Sequence, residues 1–91
     1  MIYIAKISTV EGKRIAKRLY NHWKHKFEVQ ETEYTLTIHL PNAQLTMTPE
    51  TDHLTLELDV TAEDAPRLQN IVLDHLNRMA QQEFETHWYT K

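Results

Sequence analysis

Three histidines and two basic residues have the types and spacing to do chemistry together. His22 and His25 stand three apart in the run NHWKHKFEV, residues 21–29, with Trp23 between them and Lys24 and Lys26 on either side of the second. His75 and Arg78, again three apart, lie in LDHLNRMA, residues 73–80. Imidazole can ligate a metal, move a proton or hydrogen-bond an anion, while ammonium and guanidinium groups add fixed positive charge. Three arrangements are open. The histidines can be satisfied core residues, with Lys26 carrying its charge out to water along its own stem. They can join Lys26 and Arg78 around a small anionic ligand. Or His22 and His75, with or without His25 or a carboxylate, can hold a metal or a haem.

Other chemistries have little support. The 91 residues include no cysteine, so disulfides, thiolate metal sites and thiol nucleophiles are excluded. Gly12 is the only glycine, which removes any Gly-rich phosphate loop, and the only serine, Ser8, is better placed as a helix cap. Acid–base catalysis by His75 stays open, but no substrate cleft is legible, so a non-enzymatic role is expected. An acidic pI of about 6.0 and the lack of a basic, aromatic platform argue against nucleic-acid binding. No apolar run is long enough to span a membrane, the N-terminus does not read as a secretory leader, and a cysteine-free chain suits the cytoplasm. Length predicts a single domain, residues 1–91. Charge is uneven: residues 1–26 hold seven of the ten Lys and Arg but one acid, Glu11. That segment could steer an anion, or it could be a solvated helix face.

These residues must be positioned by the surrounding elements. Residues 1–7 read as a strand. Ser8 and Glu11 have capping-box spacing and open a helix whose apolar stripe is Ile15, Leu19 and Trp23, with Gly12 tolerated in its first turn. Residues 27–31 form a second strand. Then Tyr34, Leu36, Ile38 and Leu40 alternate with Thr35, Thr37 and His39; Ala43, Leu45 and Met47 alternate with Gln44, Thr46 and Thr48; and Leu54, Leu56, Leu58 and Val60 share one face of residues 53–60. One apolar and one polar face per strand is the pattern of an antiparallel sheet covered on one side. A second helix starts at Asp64–Pro66, buries Leu68, Ile71, Val72, Leu76 and Met79, and ends near 79–82; residues 84–90 make a last strand. The order β-α-β-β-β-β-α-β gives an α+β two-layer sandwich, a mostly antiparallel sheet with both helices on one face.

Helical phase then places the chemistry. At about 100° per residue, His75 returns to within about 20° of Leu68, inside the apolar face, and is expected to be mostly buried. His22 and Lys26 each fall about 20° from Ile15, while His25 turns toward solvent. His22, Lys26, His75 and Arg78 are thus expected at one end of the groove between the helices. Asp74, four before Arg78, can form a surface pair with it.

The segments RLYNHWKHKFEV and LQNIVLDHLNRMAQQEFETHW resemble the two signature stretches of an uncharacterised bacterial domain-of-unknown-function family (DUF2218). That family occurs alone or attached to siderophore-interacting flavoproteins. His22, Trp23, His25 and Lys26 match its His-aromatic-x-His-Lys pattern; His75, Leu76, Arg78 and Ala80 match His-Leu-x-Arg-aromatic-Ala. Met79 replaces the aromatic and stays apolar; Asn42 stands where glycine is common and tolerates positive φ. The resemblance implies a link to iron and siderophore utilisation, with a siderophore-interacting flavoprotein as partner and a small anionic or iron-bearing ligand in the groove. The competing reading is a homo-oligomeric module, such as a homodimer, or a protein-docking module. It would use the sheet edges and the C-terminal Trp88 and Tyr89, with its histidines only structural. The Thr-rich sheet face is expected to carry no ligand.

Overall fold

A computed structural model describes residues 1–91. The elements are β1 (Ile2–Ser8), α1 (Gly12–Trp23), β2 (Glu28–Glu31), β3 (Leu36–Leu40), β4 (Ala43–Pro49), β5 (His53–Val60), α2 (Ala65–Ala80) and β6 (Tyr89–Thr90). The strands make one sheet in the order β2-β3-β4-β5-β1-β6, antiparallel throughout. Both helices cover one face, so the α+β two-layer architecture and its element order are as the alternation predicts. Leu36, Ile38, Leu40, Leu45, Met47, Leu54, Leu56, Leu58 and Val60 point inward against Ile15, Ala16, Leu19, Leu68, Val72 and Leu76, and no polar residue is buried. The other sheet face carries Thr37, Thr46, Thr48, Thr55 and Glu57 in register.

Several local expectations change. Ser8 belongs to β1 and does not cap α1. Thr9 Oγ1 accepts the Glu11 N–H at 3.1 Å, and the Glu11 carboxylate turns to Arg14 at 2.7 Å. Gly12 favours closeness: a Cβ there would sit 3.1 Å from Leu54 Cβ, tighter than ordinary contact, and the missing Cβ lets α1 start directly on β5. Asp64 precedes α2 without a side-chain cap; Thr61 receives its N–H instead. Tyr34 is outside β3 and 72% exposed, because Thr32 Oγ1 accepts the N–H groups of Tyr34 and Thr35 and bends the chain out of the pleat. Residues 84–90 alternate as expected, with Phe84 and Trp88 packed on the core, but only Tyr89 and Thr90 pair with β1.

Both positive-φ positions end an element. Asn42, φ 62°, closes the β3–β4 turn as its tolerance for that region predicts. Gln81, φ 57°, ends α2, with the Gln82 N–H donating back to the Asn77 carbonyl at 3.1 Å.

Candidate functional site

The helices run antiparallel across the sheet. Arg18 Nη1 donates to the Met79 carbonyl at 3.0 Å, and the His22 ring lies 6.0 Å from that of His75. The chain leaving α1 therefore meets the first half of α2. α1 stops at Trp23, whose carbonyl accepts the N–H groups of both Lys26 and Phe27. The helical phase assumed for Lys26 ends there. Lys26 sits in the following turn, exposed, with Nζ 5.6 Å above the Phe27 ring.

A half-enclosed cleft of about 280 Å³ opens at this end of the groove. Its floor is Trp23, Leu40 and Leu68, all at least nine-tenths buried, and its walls are Phe27, Ile71 and His75. Lys26, Pro41, Asn42 and Arg67 form the rim. Trp23 organises the wall: its ring lies 5.9 Å from Phe27, nearly edge-on, and 5.0 Å from His75. His75 is half-buried, less than its place in the apolar stripe suggests, because the groove opens beside it. Its Nδ1 donates to the Ile71 carbonyl, one turn earlier, at 2.8 Å. A carbonyl oxygen only accepts, so the proton sits on Nδ1, and Nε2 is the free ring nitrogen.

Of the expected site residues, the structure brings Lys26 and His75 into one cleft; His22 lies beside His75 but is exposed and outside the cleft lining. His25 is exposed in the turn beyond α1. Arg78 is elsewhere: its side chain is 68% exposed and bonded to Asp74 at 3.1 Å, the surface pair expected from spacing. Arg67 lines the cleft in its place. Arg67, Ile71 and His75 follow at steps of four, so spacing alone could have found Arg67 once the helices were known to be antiparallel. His22, His25 and His75 do not form part of any group of three or more His, Asp or Glu side chains that could hold a metal ion.

No carboxylate lines the cleft. Lys26 has no ion-pair partner, and Arg67 reaches Asp64 only at 3.8 Å. A second depression, about 340 Å³, lies between the first half of α1 and the Thr32–Tyr34 turn. There Glu31 and Glu33 join Lys13 and Lys17, and Lys17 is already bonded to Glu31 at 2.8 Å, so that cavity has no comparable excess of unpaired cations. His75 also borders a shallower depression with Asn70, Asp74 and Asn77, and a further polar one runs from Asp74 to Glu83. Another polar cluster is the β4–β5 turn. His53 Nδ1 meets Asp52 at 2.7 Å and Nε2 meets Glu50 at 2.8 Å, while the Thr55 hydroxyl donates to Glu50 at 2.8 Å. The Asp52 hydrogen bond, with the Glu50 charge behind it, raises the His53 pKa above its ordinary 6.5.

The model of the family described as "Uncharacterized protein conserved in bacteria (DUF2218)" matches residues 4–89. The chain belongs to this family. Residues 18–29 and 68–88 both lie inside the match, and in the fold they meet at the His22–His75 contact. An NMR structure of PA4090 from Pseudomonas aeruginosa is similar, with 33% identity and a TM-score of 0.78, covering 97% of this chain and 94% of that one. No curated protein matches.

Proposed function

We propose that this DUF2218 domain is a non-enzymatic binding module whose cleft between α1 and α2 takes a small anion with an apolar body. The observation that carries the reading is the lining: Lys26, Arg67 and His75 stand around an apolar floor with no carboxylate among them. Desolvated apolar surface holds the body of a ligand, and a few convergent polar groups fix its charged end. A cleft of about 280 Å³ is at the small end of ligand pockets, which favours a small acid over a porphyrin or a whole iron chelate. The resemblance of the two signature segments supports a cytoplasmic accessory role in iron or siderophore utilisation beside a siderophore-interacting flavoprotein. The ligand is then a piece or precursor of a chelator, with no metal bound by the protein itself.

The test is an NMR titration of the whole chain with benzoate. Amide shifts should concentrate at residues 23–27, 40–42 and 67–75, and affinity should fall as salt rises, since part of the attraction is screened. Lys26→Glu should abolish binding. Lys13→Glu should not, and it is a cleaner control than Lys17, which holds Glu31. Equal loss from both changes would mean a diffuse basic surface with no site.

A further inference from the structure

We propose that the ligand is a single-ring aromatic acid carrying a hydroxyl group, the hydroxyl donating to His75 Nε2 and the carboxylate held by Arg67 and Lys26. This rests on the reading of the cleft as an anion site and adds the ligand's class to it. Three features of the wall converge on that class.

The first is the tautomer of His75. Its Nδ1 proton is committed to the Ile71 carbonyl at 2.8 Å, so in the neutral ring Nε2 carries a lone pair with no partner in the protein. A ligand that offered only acceptors would leave that lone pair unmatched as it displaced water. A ligand with an O–H satisfies it.

The second is the shape of the apolar surface. Trp23 and Phe27 meet nearly edge-on, at 76°, and Ile71 stands on the α2 side. Aromatic rings pack against one another best in offset or edge-to-face arrangements, so a flat ring gains more here than a puckered one of the same size. The volume of about 280 Å³ admits one ring and its substituents.

The third is the rim. Arg67 offers a planar fork that matches a carboxylate, and its 3.8 Å separation from Asp64 is too long for a hydrogen bond, so the fork is free to turn. Lys26 supplies a second charge at the mouth. Its ammonium lies over the Phe27 ring, a position from which it can close on an acid bound against that ring.

The experiment titrates the full chain with the three monohydroxybenzoates, benzoate, cyclohexanecarboxylate, phenol and inorganic phosphate, read by N–H shifts, the Trp23 indole among them. One hydroxybenzoate should bind about fivefold tighter than benzoate, the effect of one net hydrogen bond. Benzoate should in turn exceed cyclohexanecarboxylate, and phenol and phosphate should be weakest. His75→Phe keeps a ring against Trp23 and removes the acceptor, so it should erase the hydroxyl advantage: hydroxybenzoates and benzoate should then bind alike, whatever the change does to benzoate itself. His75→Leu serves the same purpose if the Phe variant folds poorly, and His75→Gln, which restores an acceptor, should recover part of the advantage. Arg67→Gln should weaken every carboxylate alike. If benzoate binds but no hydroxybenzoate improves on it, or if the preference survives His75→Phe, the hydroxyl assignment is wrong while the anion site stands. If cyclohexanecarboxylate equals benzoate, the aromatic assignment is wrong. If no carboxylate binds, the anion-site reading fails and takes this one with it.

Discussion

His53 and His75 are both held by hydrogen bonds, and the difference between them separates a structural histidine from one available to a ligand. His53 lies between Asp52 and Glu50 with both ring nitrogens engaged, and Thr55 completes the shell around Glu50. Nothing on that ring is left for a visitor. His75 spends one nitrogen on its own helix and leaves the other free, beside an apolar floor and two cations. The first cluster satisfies itself on a solvated turn. The second has unmet hydrogen-bonding capacity where water is partly excluded, and there a ligand gains most.

The floor of the cleft is core, so damaging it should show first in stability. Trp23 is 5% exposed and touches both Phe27 and His75. Trp23→Ala should cost about 3–5 kcal/mol in chemical denaturation, the range for deleting a buried aromatic. A cost below about 1 kcal/mol would mean the turn after α1 can collapse into the space, and the cleft would then be a soft feature.

His75→Ala is next. The Ile71 carbonyl keeps its helix bond, so the loss is mainly the ring packed on Trp23, about 1–2 kcal/mol. A denaturation midpoint equal to the unaltered chain's would show that His75 contributes no packing. The cleft's shape would then owe nothing to it.

How far these features were legible in the sequence depends on whether they are local. Period-two alternation predicts β3, β4 and β5 and their inward leucines, because one covered face imposes it. It fails at Tyr34, where one threonine hydroxyl competes with the ladder. Helical phase predicts His75 near the groove, but it carries Lys26 past the true end of α1 and selects Arg78 when the antiparallel packing selects Arg67. That choice is a tertiary fact with no local signal. Asn42 is readable as a turn residue; Gln81 is not, since glutamine has no preference for positive φ. Gln81→Gly should therefore stabilise the fold by about 0.5 kcal/mol. It relieves about 1–2 kcal/mol of left-handed strain and gives back about 0.5–1 kcal/mol in chain entropy. A lower melting temperature would show that the Gln81 side chain makes a contribution larger than its backbone strain.

The smallest effect tests the other side of the comparison. His53 is raised in pKa by its hydrogen bond to Asp52, and Asp52 and Glu50 are lowered, Asp52 chiefly by that same bond and Glu50 chiefly by the Thr55 hydroxyl. A raised histidine adds stability that is complete below its unfolded value and is lost as pH rises through the folded one. The loss should therefore begin above about 6.5 and be finished once His53 is neutral. The lowered carboxylates act in the opposite direction. Their contribution is present above their ordinary values of 4.5 and 3.8 and disappears as pH falls through the folded ones. The β4–β5 turn should be firmest between these limits. Because the cluster is solvated, the amplitude is small and should shrink with salt. Amide exchange at Glu50, whose N–H donates to the His53 carbonyl at 2.8 Å, reports on the turn directly. After correction for intrinsic rate, it should quicken from pH 6 to pH 8 in the parent chain but not in His53→Gln, at about the margins set by the histidine's reference value. Ligand affinity at the cleft should be the same in both proteins, since a histidine with both nitrogens engaged has nothing to offer it. A His53→Gln variant that also lost benzoate binding would show that the two histidines are coupled through the sheet, and the distinction between them would fail.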